Sequence, residues 1–159
     1  MNENRRPKVG VGVFVQRGEE VLLGLRKGSH GAGTWSIPGG LIEADENVSK
    51  AAIRELAEET GIAAKYMTAL VAPATLRGFD KSGGSQSYVT LYAHVHIPDT
   101  CQAKITEPDK CAEWRWVSMM SPEWPGPLFE CLDDLFKAEK IRSPYELMCW
   151  LSQAKRSRE

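Results

Sequence analysis

Residues Gly39 to Ile62, GGLIEADENVSKAAIRELAEETGI, place a glycine pair ahead of a helix that ends Arg54-Glu55-Leu56-Ala57-Glu58-Glu59-Thr60-Gly61. At about 100° per residue and a rise of roughly 1.5 Å, Glu55 and Glu59 stand one turn apart and Glu58 lies within the same broad arc. Val48, Ala52, Ile53 and Leu56 form the apolar stripe, which puts Glu55 and Glu59 at its edge and partly buried. Like charges at this spacing destabilise a bare helix by roughly 0.2–0.5 kcal/mol per pair, and desolvation adds to the cost. Arg54, four residues before Glu58, can brace it, but one guanidinium cannot neutralise Glu55, Glu58 and Glu59 together. A bound metal is expected to supply the remaining positive charge. All-oxygen ligands are hard, which points to Mg²⁺, or Mn²⁺ as a substitute, and away from zinc. Paired glycines let backbone carbonyls approach a cation closely, so the Gly39 carbonyl joins the candidate ligands. Gly61, just past the last turn, reads as a left-handed C-cap. An isolated R-E-x-x-E-E is more often a solvated, salt-bridged surface helix. Glu46, the glycines and their register weigh against that reading.

Counting from Gly40, Glu46 follows after five intervening residues and Arg54-Glu55 after seven more. Then come an aliphatic residue, a spacer, Glu58-Glu59, another spacer, Gly61 and Ile62. With these positions filled, the chain resembles a Nudix hydrolase.

Composition narrows the classes. At 159 residues and 17.7 kDa the chain suits a single domain spanning 1–159, with a core over about 8–153. A net charge of −1 argues against long nucleic acid or an anionic membrane surface as a partner. No apolar run approaches a membrane span and the N-terminus lacks the apolar core of a signal peptide, so a cytoplasmic protein is expected. Cys101, Cys111, Cys131 and Cys149 are scattered without a C-x-x-C pair and read as reduced packing residues. His30, His94 and His96 fit no metal-protease or triad signature, and none is expected to be catalytic.

Along the chain, Val9–Gln16 and Val21–Arg26 read as a hairpin about Arg17-Gly18-Glu19-Glu20, and Thr34–Ile37 as a short strand. The Gly28–Gly33 loop lacks G-K-[ST] and a helix directly after it, so it is expected to border the site rather than cradle phosphate. The glutamate helix should span about Asn47–Thr60, followed by strands over Tyr66–Leu76 and Gln86–Ile97 around Phe79–Gly84, and another over Glu113–Val117. Trp114 and Trp116 should share one face of that last strand, with Arg115 on the other. A proline-rich turn at Pro122–Pro127 precedes a helix over Leu128–Lys140, and Ser143-Pro144 opens a final helix to about Gln153.

The resemblance implies an α/β Nudix fold, an α/β/α sandwich with a mixed central sheet. It extends to the small MutT-like enzymes that hydrolyse oxidised or unmodified nucleoside triphosphates, through Gly24–Lys27, Tyr88–Thr90, Glu107–Lys110 and Pro127–Phe129. In such relatives Arg26 and Lys110 lie near the substrate phosphates, Thr90 approaches the base, and Leu128 and Phe129 belong to the base pocket. The metal ligands implied are Gly39, Glu55, Glu58 and Glu59. Glu55, Glu58 and Glu107 all remain candidates for the base that takes the water proton, and Arg54 is tied to Glu46. The implied reaction is Mg²⁺-dependent hydrolysis of a (deoxy)nucleoside triphosphate, including 8-oxo-dGTP, to monophosphate and pyrophosphate by a homodimer. Hydrolysis of ADP-ribose or a prenyl diphosphate, or a silent ligand sensor, are the other readings. Two departures stand out: Asp45 where relatives usually have glycine, and Glu130 where many carry tryptophan. The second removes an aromatic wall and leaves a pyrimidine or another diphosphate open.

Overall fold

Alternation of valine with smaller residues builds the first strand, and every later element is placed around it. The computed structural model describes residues 6–28, 30–65, 69–80 and 85–156. Strands β1 (Lys8–Arg17), β2 (Glu20–Arg26), β3 (Trp35–Ser36), β4 (Gly39–Leu41), β5 (Ala69–Asp80), β6 (Ser85–Ile97) and β7 (Cys111–Ser118) form one mixed sheet. β1 and β6 run parallel in register from Lys8↔Tyr88 to Arg17↔Ile97, while β1–β2, β1–β4, β2–β3, β2–β7 and β5–β6 are antiparallel. The hairpin at Gly18 forms as expected, yet only Gln16↔Val21 and Arg17↔Glu20 pair across it. The reason is β4, which takes the Gly10–Gly12 stretch of β1.

Side chains leave the sheet on alternate sides and meet two cores. Val11, Val13 and Val15 of β1, Leu22 of β2 and Ala93, Val95 and Ile97 of β6 pack against α1 (Val48–Thr60). Phe14, Val21, Leu23 and Tyr92, from the same strands, face α2 (Glu130–Glu139) and α3 (Pro144–Arg156). The α/β/α layering expected from the sequence is the layering observed. Trp114 and Trp116 pack on the α1 side and Arg115 stacks over Trp35 on the other. Among the described residues no helix is long and apolar enough to cross a membrane.

Local signals explain the helix ends. Asn47 caps α1 by accepting from the Lys50 N–H (2.9 Å), and Gly61 closes it at φ 70 with its N–H on the Ala57 carbonyl. Ser143 caps α3 by accepting from the Glu146 N–H. Four expectations need correcting. Gly39–Leu41 is a strand, although its glycines read as a loop. β5 begins at Ala69 and runs through Phe79 and Asp80, while Tyr66–Thr68 and Lys81–Gly84 lie outside the described residues. α2 starts at Glu130, because Leu128 and Phe129 are extended and bridged to Trp35. Finally, α1 is rotated: its buried residues are Ala51, Ala52, Leu56 and Thr60, with Ile53 only half-buried.

Leu56 is fully buried between α1 and the sheet. Leu56→Ala should cost about 2–5 kcal/mol of stability, read as a lowered urea midpoint with an unchanged slope.

Candidate active site

The rotation of α1 decides where its carboxylates go. With Ala51 set at 0°, Thr60 falls near ~180°, and Glu55 and Glu59 fall near ~40° and ~80°, inside the buried arc rather than at its edge. Charged side chains fit there because Gly39 and Gly40, opposite in β4, have none. A Cβ on Gly40 would collide with the Glu55 carboxyl group, and one on Gly39 with the Val11 carbonyl. Backbone alternation in β4 completes the arrangement. Val13 N–H donates to Pro38 O and Ile42 N–H to Val9 O, so the polar groups of Gly39 and Leu41 face away from β1. The Gly39 N–H donates to Glu59 Oε2 (3.0 Å) and the Leu41 carbonyl accepts from Arg54 Nη2 (2.9 Å). The Gly39 carbonyl lies on that same helix-facing edge.

Arg54 organises the acids. Its Nε and Nη2 donate to the two oxygens of Glu46 (2.6 and 2.8 Å), and its Nη1 donates to Glu55 (2.9 Å) and Glu58 (3.1 Å). Glu46 also accepts from the Glu43 N–H, fixing the loop before the helix. The guanidinium holds Glu46 at a pKa of about 2, and these carboxylates push the Arg54 pKa up in return. Burial pushes Glu55 up, opposed by its bond to Arg54. Glu59 is pushed up to about 7, chiefly by burial and further by the charges of Glu55 and Glu107, with the Gly39 N–H opposing.

These groups open onto one cleft with two lobes. The first, about 600 Å³, is lined by Glu55, Glu59, Glu107, Asp109, Lys27 and Trp114. The second, about 500 Å³, is lined by Tyr88, Thr90, Tyr92, Phe129, Cys131 and Leu132. Arg26, His30, Ser36, Gly39, Gly40 and Lys110 border both. Arg26 lies over the Phe129 ring at 4.1 Å and donates to the His30 carbonyl, and burial lowers its pKa. Lys110 Nζ donates to Glu107 (2.7 Å), which raises the lysine's pKa.

Of the residues singled out in the sequence, Arg26, Gly39, Glu55, Glu59, Thr90, Glu107, Lys110 and Phe129 therefore share this cleft. Leu128 and Glu58 do not line it. The strand-like bridge to Trp35 sends Phe129 to the cleft and Leu128, the preceding residue, against the α2 core. The Glu58 side chain is 56% exposed and turned to Arg54. The Gly28–Gly33 loop borders the cleft as expected, but sequence reasoning gave no role to His30, whose ring meets Phe129 edge-on at 5.5 Å, nor to Ser36, Tyr88 and Cys131. Their positions depend on long-range pairing, and no local pattern marks them.

Among the described residues, no three acid, imidazole or thiol side chains close on one point as a ready-made metal cage. The convergence expected from the helical spacing is thus incomplete, because Arg54 draws Glu55 and Glu58 to itself. The donor set nonetheless fits a hard divalent cation. Glu59 is largely buried, forms no ion pair with a described lysine or arginine, and shares its lobe with Glu55 and Gly39.

The raised Glu59 pKa predicts a pH dependence for metal-free protein. The fold holds this proton more tightly than the unfolded chain, whose pKa is near 4.5. The associated stability is fully present below about pH 4.5 and is lost as pH rises through about 7, an effect of roughly 3 kcal/mol. Melting temperatures across pH 5–8 should fall in the wild type, flatten in Glu59→Gln, and recover in the wild type when MgCl₂ is added.

The NUDIX domain family matches residues 6–136. The crystal structure of a MutT NUDIX hydrolase from Burkholderia pseudomallei aligns at a TM-score of 0.70 and 28% identity, covering 84% of this chain and 98% of that one. RNA pyrophosphohydrolase of Novosphingobium aromaticivorans is 30% identical over 125 residues, 70% of this chain and 76% of that protein. ADP-ribose pyrophosphatase of Methanocaldococcus jannaschii is 36% identical over 64 residues, 40% of this chain. The match spans 38% of that archaeal protein, and 25% of Nudix hydrolase 6 from Arabidopsis thaliana is matched in the same way. A family match over most of the chain, falling on the helix and glycine strand that carry the acids to the cleft, makes this protein a member of the NUDIX family, MutT-like in fold.

Proposed function

We propose that the protein hydrolyses (deoxy)nucleoside triphosphates, oxidised ones such as 8-oxo-dGTP among them, to the monophosphate and pyrophosphate with Mg²⁺ as its cofactor. One observation carries this reading: an acid-floored lobe and an aromatic lobe form a single cleft, with Arg26 and Lys110 on the border between them. A triphosphate joined to a flat base has that same division of chemistry. Tyr88, Thr90 and Phe129 would receive the base, and Arg26 and Lys110 would hold the phosphates where negative charge develops.

Glu55, Glu59 and the Gly39 carbonyl would hold the divalent cation, with Glu58 able to join by releasing Arg54. A bound divalent ion supplies neutralisation of phosphate charge and a lowered pKa for the attacking water. Glu107 is our choice for the residue that accepts the water proton, because it lines the acid lobe from a loop. Glu55 is the second choice, and Glu58 faces solvent. Arg54 acts as a positioning residue, bonded to three glutamates at once. We further propose that residues 1–159, with their core at about 8–153, work as one catalytic unit in the cytoplasm, and as the homodimer that the MutT-like resemblance implies.

Cleavage of ADP-ribose is the second reading, supported by the name of the archaeal relative. Products separate the two: pyrophosphate release marks a triphosphate substrate, whereas two monophosphates mark ADP-ribose. The test is a Mg²⁺-dependent panel of the four dNTPs, 8-oxo-dGTP, ADP-ribose and geranyl diphosphate with products resolved by chromatography. Triphosphate turnover with pyrophosphate is the expected result. Glu55→Gln and Glu59→Gln should each lower kcat by at least roughly a hundredfold while leaving the circular dichroism spectrum unchanged. Activity surviving both substitutions would place the chemistry elsewhere.

A further inference from the structure

The C-terminal end of α2 differs from that of α1 in a way that folding does not require. α1 closes on Gly61 in the left-handed region, where glycine carries no steric penalty. α2 closes in the same conformation on Lys140 (φ 59, ψ 33), whose N–H donates to the Lys137 and Phe136 carbonyls. Among the described residues Lys140 is the only non-glycine with positive φ. A cation near a helix C-terminus is favourable, but Lys137 in the last turn already provides one. A lysine occupies a backbone position that suits glycine better, and its side chain is exposed there.

Lys140 borders a hollow of about 380 Å³ that shares no lining residue with the cleft. Its apolar walls are Trp124, Leu128, Phe136 and Ile141, with the Trp124 and Phe136 rings 4.8 Å apart. Lys137, Lys140 and Arg142 stand on the rim. Asp133, the one carboxylate among the lining residues, is engaged by Lys137. Neither Lys140 nor Arg142 forms a side-chain ion pair among the described residues, so the rim is positive over an apolar floor. We propose that this hollow binds a small organic anion with a flat apolar body, its carboxylate or sulfonate held by Lys140 and Arg142 and its ring set against Trp124 and Leu128. The site is separate from the cleft and independent of the proposed reaction. It is mechanically close to it, since Leu128 faces the hollow and Phe129 the cleft. Trp35 fixes both through its bonds to Pro127 O and the Phe129 N–H (2.8 Å each).

The probe is 2-naphthoate, titrated into the full ¹⁵N-labelled chain and followed by NMR. Saturable shifts are expected at the Trp124 indole N–H, assigned with Trp124→Phe, and at the amides of residues 136–142. The double variant Lys140→Gly/Arg142→Ala should raise Kd at least fivefold, and uncharged 2-naphthamide should bind the wild type at least fivefold more weakly. Lys140→Gly alone should keep or raise the melting temperature, because glycine relieves the backbone at that position. Lys140→Gly should itself weaken binding, and a loss in that chain, of equal or greater stability, cannot be ascribed to misfolding. The proposal is overturned by any of four results: smaller changes in Kd, shifts centred on Thr90 and Phe129 instead, no saturable shift, or a destabilised Lys140→Gly.

Discussion

Two carboxylates, Glu55 and Glu59, are turned into the sheet-facing side of α1, and the rest of the structure is arranged around that cost. Side chains of this kind are rarely buried unless something compensates for lost solvation. Part of the compensation is steric. Gly40 leaves the space that the Glu55 carboxyl group fills, Gly39 lets the strand lie close against β1, and the Gly39 N–H reaches Glu59. Those glycines can sit opposite the helix only because β4 pairs with β1 at Gly10–Gly12, which shortens the β1–β2 ladder and keeps the cleft beside it. Sheet register, strand length and acid placement are therefore one constraint.

Electrostatic compensation is divided unevenly. Arg54 serves Glu46 with Nε and Nη2 and shares Nη1 between Glu55 and Glu58, and Glu46 in turn ties down the loop that leads into the helix. Burial pushes the Glu59 pKa up to about 7, opposed by the Gly39 N–H and the charge of Arg26, while the bond to Arg54 draws that of Glu46 down to about 2. The two acids belong to the same motif and receive opposite treatment. One is neutralised internally and shapes the loop. The other is kept short of positive charge at the floor of a cleft, which is the environment a divalent cation relieves.

Much of this was legible in the sequence because it is local. The helix start near Asn47, the Gly61 terminator, the Gly18 hairpin and the spacing from Gly40 to Glu59 all follow from residues close together in the chain. What escaped notice was set by distant partners. Gly39–Leu41 is extended because β1 offers it an edge, and a glycine pair alone says nothing of that edge. The true buried face of α1 depends on small residues: Ala51 and Thr60 are buried as fully as Leu56, so a stripe drawn through the larger Ile53 was turned too far. Leu128 and Phe129 fit a helical pattern, yet bonding to Trp35 extends them and sends them to opposite sides. His30 reaches the cleft through a loop that folds back onto Arg26, a contact with no sequence signature.

The proposed divalent cation would sit between the glycine strand and the buried acids. Anomalous diffraction from crystals grown with Mn²⁺ tests it most directly. The prediction is a peak at ligand distance, about 2.1 Å, from a Glu59 carboxylate oxygen, with the Gly39 carbonyl and Glu55 in the same coordination shell. Crystals saturated with Mn²⁺ that show density only at exposed Glu58, or none near α1, would contradict it.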